Sequence, residues 1–393
     1  GSWLVGMYKF GALGYQGETY YTNQTPCGAF RSYGNSQTNI AMEQTIDDMC
    51  YKLGLDPVEW RMKWHKGVGD DGWCMGFKYP SCALDECLRR GAEAIGWKEK
   101  RAKYANQTGP KRRGLGVSIM NHTSGAMPML LEHTTSTVKL NEDATAEVIL
   151  SCSDLGTGAH TSLKMIAAET LGFDLDDVHL LTGNSDASGF DIGAHASRTL
   201  YVGGGSVKAA CEDVKKQLFD RAARQLEANV DDLEMKDKKI FVKGSPDKSI
   251  DIKTITSLGV YNFVDPATGK TIGIPGQIQG YASYFAPHNS PPFAACFAEV
   301  EVDIETGEVK VLEAIQAYDI GRAIHPPSCE GQNDGAFQQG MGMALMEETY
   351  YDKNGLCLNS NFTDYKMPGP CDMPKFTNIL VEEPDPIGPY GAK

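Results

Sequence analysis

Residues 149–172 read ILSCSDLGTGAHTSLKMIAAETLG, and the way the middle of that stretch is built decides the fold around it. Ile149–Ser151 closes an apolar, strand-like run. Gly156, Thr157, Gly158 and Ala159 follow as a loop of small residues, and a helical pattern starts at His160. At a helix start several backbone N–H groups have no partner and the macrodipole is positive, so an anionic ligand is favoured there. Small residues let the backbone come close to such a ligand. An ordinary tight strand-to-helix turn has the same composition. The loop has neither the G-x-G-x-x-G spacing of dinucleotide binders nor the lysine of a P-loop.

Working outward, the stretches GLGVSIM (114–120), TSTVKL (135–140) and TAEVILS (145–151) alternate and are rich in β-branched residues, which predicts strands. VHLLTG (178–183) predicts a short strand, and a long helix is expected from about Ser206. FAEVEVDIETGEVKVLEAIQAYD (297–319) is a hairpin around the turn Glu305–Glu308. GAFQQGMGMALMEE (335–348) reads as a glycine-tolerant, closely packed helix. Towards the N-terminus, residues 36–54 predict a helix capped by Ser36, with Ile40, Ile46, Met49 and Leu53 at helical spacing and Gly54 as its stop. Asp56 and Pro57 mark the start of another helix, and LDECLRRGAEAIGW (84–97) is amphipathic. Strand and helix mix without a strict βαβ beat, so the fold class is α+β, mixed α/β, in two unequal parts. Aromatics, Gly and Pro in WCMGFKYPSCA (73–83) place a boundary there, giving parts 1–75 and 76–393.

Composition narrows the function. The chain of 393 residues is 41% hydrophobic and 22% charged, in the range of a globular protein. No apolar run approaches the roughly 18 residues of a membrane helix, and the N-terminal stretch has no signal-peptide pattern. It reads as the middle of a domain, and cytoplasm is the default location. A net charge of −14 argues against nucleic acid, because phosphate binding needs a basic face. Eleven cysteines include no C-x-x-C pair, and eight histidines show no metal-ligand pairing, so no metal held directly by the protein is expected. The N-x-S/T triplets at Asn23, Asn106, Asn121 and Asn361 are read as chance. No G-x-S-x-G elbow supports a serine hydrolase.

Three further segments stand out. DIGAHASRTLYVGGGS (191–206) is a second small-residue loop leading into a helix, carrying His195, Ala196, Ser197 and Arg198. It fits a surface loop or one wall of a large polar ligand site. TPCGAFRSYGNSQ (25–37) sets Phe30, Arg31 and Tyr33 between Gly28 and Gly34, as either a capped turn or a pocket wall. In DIGRAIHPPSCEGQNDGAFQQGMG (319–342), Gln332 lies between Gly331 and Gly335 and can present its amide to a buried ligand, while His325 before two prolines reads as structural.

Taken in order, these four segments resemble the molybdenum hydroxylase family, which includes xanthine dehydrogenase, aldehyde oxidoreductase, nicotinate dehydrogenase and 4-hydroxybenzoyl-CoA reductase. The family patterns A-F-R-G-[FY]-G, G-Q-G-x-H-T, an A-S-R-type loop and D-x-G-R-x-x-N-P…E-G-Q…G…Q-G-x-G stand here as Ala29–Gly34, Gly156–Thr161, Ala194–Arg198 and Asp319–Gly342. The resemblance covers essentially the whole chain. It implies that Gly156, Thr157, Gly158, Ala159, His195, Ala196, Ser197, Arg198 and Gln332 line a pyranopterin, that Ala29–Arg31 lie near the molybdenum and His160 close behind the first loop, and that Tyr33, with Phe30, meets the substrate. The four turns are expected to grip one metal–pterin group. Thr157 departs from the family glutamine, Ser32 from a glycine and His325 from a common asparagine.

The resemblance further implies hydroxylation of an electron-poor carbon (in a purine, N-heterocycle, aldehyde or aromatic CoA thioester) with oxygen from water, a base glutamate expected just beyond Lys393 after GPYGAK, and a preceding half of the molybdopterin subunit. The cofactor is expected as molybdopterin in its cytosine dinucleotide form. Electrons are expected to leave to an iron–sulfur subunit, with FAD in a flavin subunit, in a dimer of heteromers. The rival reading is a cofactor-binding or scaffold subunit that keeps the fold without catalysis.

Overall fold

Two local signals fall where they were expected, the stop at Gly54 and the start at Asp56–Pro57. In the computed structural model, which describes residues 4–24, 26, 28–72, 77–127, 132–261 and 264–393, Gly54, Gly96 and Gly172 end helices in the left-handed conformation that suits glycine at such ends. Asp56 caps the next helix by accepting from the N–H groups of Val58 and Glu59, with Pro57 at its first position. In chain order the elements begin with α1 (Leu4–Met7), α2 (Asn35–Leu53), α3 (Pro57–Trp64), α4 (Leu84–Ile95), α5 (Trp97–Tyr104) and β1 (Lys111–Asn121). Next come β2 (His133–Leu140), β3 (Ala146–Leu150), α6 (Ala159–Leu171), β4 (Val178–Leu181), α7 (Gly204–Gln225), β5 (Leu233–Lys236), β6 (Lys239–Val242), β7 (Ser245–Asp251), α8 (Ile252–Tyr261) and β8 (Gln279–Phe285). The chain ends with β9 (Phe293–Asp303), β10 (Val309–Asp319), α9 (Pro326–Leu345) and β11 (Lys375–Val381).

These elements form two compact units, Gly1–Thr123 with Ser290–Pro386, and Ser124–Asn289 with Ile387–Lys393. Residues 73–76, where composition places a division, lie outside the described residues. The compact units follow strand pairing: β1 joins β9 along its whole length in antiparallel register, from Lys111 opposite Asp303 to Asn121 opposite Phe293. Strands distant in sequence therefore complete one sheet, ordered β1-β9-β10-β11.

In the first unit α4 lies on that sheet. Its Leu84, Cys87, Leu88 and Ile95 are buried with Phe297, Ile315 and Ala317. Gly91 is required by the closeness of this packing, since a Cβ there would stand 2.3 Å from Cε2 of Phe297. β1 is an edge strand, and an open edge has unpaired backbone groups. Here α2 supplies their partners. Nδ2 of Asn35 donates to the Asn121 carbonyl (2.6 Å), Nδ2 of Asn39 donates to the Ile119 carbonyl (3.1 Å), and Oε2 of Glu43 accepts from the Ile119 N–H (2.8 Å). Positions four apart share one helix face, so this face had to be polar. That corrects the apolar reading of α2. Ile46 is buried, but Ile40 and Leu53 are 50% and 64% exposed. Ser36 is inside the helix, not its cap, because Gly34 takes the capping position.

Glu43 also anchors a buried charge. Arg61 of α3 is fully buried, with Nε donating to Oε2 of Glu43 (2.9 Å) and Nη1 to Oδ1 of Asp47 (2.8 Å). The Tyr8 hydroxyl donates to Oε1 of Glu43 (2.6 Å). Burial and the neighbouring Glu43 charge push the Tyr8 hydroxyl far above its ordinary pKa, so it stays protonated and remains a donor. α9 is packed less closely than its glycines suggested, with Asn333, Met341 and Gly342 as its buried residues. Phe337 against Phe376 and the Asn378–Asp334 hydrogen bond (2.7 Å) tie it to β11.

In the second unit the sheet order is β4-β3-β2-β8, with β3 and β4 parallel on either side of α6 in the chain. α7 packs against β2 and β8 so tightly that a Cβ on Gly280 would lie 2.2 Å from the Ala210 carbonyl oxygen. β5, β6 and β7 make a separate small antiparallel meander.

Gly91→Ala is expected to destabilise the first unit by about 1–3 kcal/mol, the usual cost of overpacking a filled core. Urea unfolding measures it, and Phe297→Leu in the same chain should recover part of the loss.

Candidate functional site

The loop before α2 is held in an unusual backbone. Ser32, Tyr33 and Gly34 follow one another at φ 76°, 51° and 85°. For the two that carry a Cβ this conformation costs roughly 1–2 kcal/mol each. It is closed by hydrogen bonds from the Tyr33 N–H to the Phe30 carbonyl (2.8 Å) and from the Asn35 N–H to the Ser32 carbonyl (3.0 Å). Oγ of Ser32 accepts from the Ser36 N–H (3.3 Å). The turn leaves Ala29 exposed and turns Tyr33 outward, 74% exposed, beside Phe30 at 39%. Thr25 and Cys27, within the segment singled out in the sequence, lie outside the described residues.

Arg31 reaches α9. Its Nη2 donates to both the backbone carbonyl and Oε1 of Gln332, at 3.1 and 2.9 Å. The guanidinium therefore holds the Gln332 amide with its oxygen towards Arg31. One residue on, Nδ2 of the buried Asn333 has no hydrogen-bond partner among the described residues, an orphan donor of the kind that calls for explanation. Asp319 anchors the entry to this segment, accepting from the Ala83 N–H (2.8 Å) ahead of α4 and from the Gly321 N–H (3.3 Å). His325 occupies the N-cap position of α9, with Nδ1 2.6 Å from Oγ of Ser328, and so is structural as read.

In the second unit the small-residue loop follows β3. Gly156 and Gly158 have φ 93° and 74°, and nothing lies within 4 Å of a Cβ built on Gly156. The N–H groups are less available than a bare helix start suggests. Oδ1 of Asp154 accepts from the N–H groups of Gly156 and Thr157 (2.8 Å each) and from the Thr157 hydroxyl (3.2 Å), and Oδ2 accepts from the His160 N–H (3.2 Å). A carboxylate of the chain already occupies part of the anion site, and the Thr157 side chain is turned towards it. Burial alone would raise the Asp154 carboxyl, but the donors from His160, Thr157 and Gly156 outweigh it and hold the pKa below the usual range. Ala159 is buried at the first position of α6, and Nε2 of His160 sits 3.3 Å from the Cys152 carbonyl.

The second loop lies along the same end of this sheet. Gly203, in a π-helical turn over Thr199–Gly203, has Sγ of Cys152 3.3 Å from where a Cβ would be. Burial, then the charge of Asp191, pushes the Cys152 thiol up to about 12. Ala196 and Ser197 are left-handed, at φ 47° and 55°. Ser197 is exposed, and Nε2 of His195 is buried with no partner among the described residues. Arg198 differs from expectation. It is fully buried, and its guanidinium is committed to Glu132, to Asp191 (2.7 Å) and to the carbonyls of Gly193 (3.1 Å) and His133 (2.8 Å). It braces the loop from inside and does not present itself to a ligand. GPYGAK folds into a tight turn at the edge of α6 and α7, with Tyr390 hydrogen-bonded to Thr170 (2.9 Å).

The structure thus brings Arg31 and Gln332 together in one unit, and the 156–160 and 195–198 loops to one sheet end in the other. Glu132, Asp191 and Asp154 were not foreseen. Asp154 and Asp191 have a local signal, an Asp two residues before a Gly in a turn, and Glu132 has none. Among the described residues no cluster of three or more His, Cys, Asp or Glu side chains could hold a metal ion directly, and no helix is long and apolar enough to cross a membrane. In each unit taken by itself, a small-residue or glycine-flanked turn beside an unpartnered buried nitrogen, Asn333 Nδ2 in the first and His195 Nε2 in the second, suits a polar organic group better than a bare cation.

Comparison with known proteins agrees with that chemistry. Two molybdopterin cofactor-binding domain patterns match residues 90–374 and 1–65. The xanthine dehydrogenase molybdenum-binding subunit of Escherichia coli O157:H7 is 32% identical over 395 residues, covering 100% of this chain and 52% of that protein. An aldehyde oxidoreductase molybdenum-binding subunit of Escherichia coli K12 is 30% identical, covering 93% of this chain and 47% of that protein. Quinoline 2-oxidoreductase from Pseudomonas putida 86 has the same fold, with TM-score 0.85, 27% identity, and coverage of 94% of this chain and 48% of its own. The chain spans about half the length of these relatives.

Asp154→Ala should cost about 0.5–2 kcal/mol, the range for removing a side chain that caps helix N–H groups, read from urea midpoints at pH 7. The contribution of Asp154 is complete above the unfolded carboxyl pKa of about 4 and is lost as pH falls through the lower folded value. The difference between wild type and Asp154→Ala should therefore shrink in acid.

Proposed function

The chain belongs to the molybdopterin cofactor-binding family of molybdenum hydroxylases, and from that premise we propose that it holds a molybdopterin within an oxidoreductase that hydroxylates an electron-poor carbon. The observation that carries the reading is the Arg31–Gln332 contact, between side chains 301 positions apart from two separate motifs. Gln332, oriented by Arg31, offers its amide to the pterin. The turns at Gly156–Ala159 and His195–Ser197 keep bulk away from the cofactor, and the unpartnered nitrogen of His195 is a donor for it. Tyr33, turned outward by its left-handed backbone, offers a flat face to the substrate, with Phe30 beside it. When bound, the molybdenum supplies the oxygen-transfer and two-electron redox chemistry, and the chain positions and tunes it.

The substrate class is a purine, another N-heterocycle or an aldehyde. Support comes from the printed names of the relatives, which span these chemistries. The cytosine dinucleotide form of the cofactor, an iron–sulfur partner, a flavin partner and a paired heteromeric assembly belong to the same reading, through the resemblance of the motifs. The native complex should contain molybdenum and an organic pterin in equal amounts and place oxygen from labelled water into its product. A complex with pterin and no turnover of any of these substrates selects the scaffold reading, and one with neither pterin nor molybdenum refutes both.

Arg31→Ala and Gln332→Ala should each weaken cofactor retention about 10- to 100-fold, the usual cost of losing an outer-shell partner. Because the two side chains act as one unit, the double variant should lose little more than either alone. Molybdenum and pterin per folded chain provide the measurement.

A further inference from the structure

Arg198 stands inside the second unit with its side chain sealed from solvent, and two carboxylates, one distant in sequence and one near, hold it there. Glu132 lies 66 residues away and Asp191 lies 7 residues away. We infer that Glu132 and Asp191 are positioning residues for the His195–Ser197 turn, acting through Arg198 and not by touching the cofactor. This inference rests on the reading that the turn lines a molybdopterin.

The geometry leads there in steps. Ala196 and Ser197 occupy a backbone region that residues with a Cβ avoid, and such conformations persist only where the surroundings over-determine them. The surroundings here are the Glu132 carboxylate and what it joins. Its Oε2 takes Nε of Arg198, and its Oε1 takes the Ala126 N–H. Next to Ala126, the Gly125 N–H donates to the Ala196 carbonyl (2.8 Å). Gly125 must be glycine, with φ 115° and a Cβ position 3.1 Å from Cγ of Glu132. Asp191 holds the other side, taking Nη1 of Arg198 while its Oδ1 accepts from the Gly193 N–H (2.8 Å). The turn is thus gripped at both flanks by groups that take this arrangement only with both carboxylates in place. None of them faces the loop's outer side, where Ser197 is exposed.

The test compares Glu132→Gln, Asp191→Asn and, as a control, Leu218→Ala, in the assembled native protein. Leu218 is a buried core residue of α7 and has no part in the turn. Molybdenum and pterin per folded chain are measured with the urea midpoint of each variant. The expected result is that both carboxylate variants lose cofactor about 10- to 100-fold faster, while Leu218→Ala loses stability but keeps its cofactor. Equal retention in all three, or loss that simply follows the urea midpoint, overturns the inference. If Glu132→Gln does not fold, Asp191→Asn carries the comparison alone. If neither folds while Leu218→Ala does, the carboxylates hold up the unit and not the turn, and the inference is wrong. Wild-type protein without pterin would instead sink the proposed function itself.

Discussion

Each of the two units is organised around a guanidinium taken wholly out of water. Arg61 and Arg198 are both fully buried, and an arginine keeps its charge at any ordinary pH. Burying that charge is tolerable only with opposite charge and hydrogen-bond acceptors arranged around it. Glu43 and Asp47 provide this for Arg61, and Glu132 and Asp191 for Arg198. The requirement then spreads outward. Glu43 must sit where it can also take the Ile119 N–H, which holds α2 on the edge of β1. The start of α2 in turn fixes the turn that carries Arg31 and Tyr33. In the other unit the same demand draws Gly125, Ala126 and Glu132 together with the 191–198 segment. Core hydrophobics give both units their bulk, but the buried charges decide which backbone segments become neighbours.

This explains which features could be read from the sequence. Signals that act within a few residues were legible: the turn at Glu305–Glu308 between two alternating strands, Asp56 with Pro57, Gly54 at the end of α2, and the small-residue loops. The polar side of α2 was not, because periodicity is read from apolar residues, and the side that is buried carries Asn35, Asn39 and Glu43. The partners of Arg198 and Arg31 were invisible for a different reason. Nothing local marks a glutamate as the counter-ion of an arginine 66 positions away, or a glutamine as the acceptor for one 301 positions away. The make-up of the first unit was not legible either, because its sheet draws on strands far apart in the chain.

Two of the three departures from the family motifs, at Ser32 and Thr157, bind locally in this structure. Ser32 stands where the pattern has glycine and is held at φ 76°, so the turn keeps its shape against the preference of its own residue. The Ser32 hydroxyl adds a contact glycine lacks, to the Ser36 N–H at the start of α2. Thr157 stands where the pattern has glutamine. Its short side chain bends back to Asp154, so this position reinforces the turn and does not extend from it. Both substitutions trade a backbone or amide contribution for a hydroxyl that binds locally.

The interrupted course of the first unit bears on how the protein is made. β1 ends at Asn121 and its neighbour β9 begins at Phe293, so at the usual rate of synthesis the strand waits on the order of 10–30 s for its partner to leave the ribosome. A strand left open for that long is exposed to pairing with other nascent chains. α2, however, precedes β1 and is complete before it, so one flank of the strand has its helical cover as soon as it emerges. The remaining flank is the vulnerable one, and it closes only when translation has passed the whole of the inserted second unit.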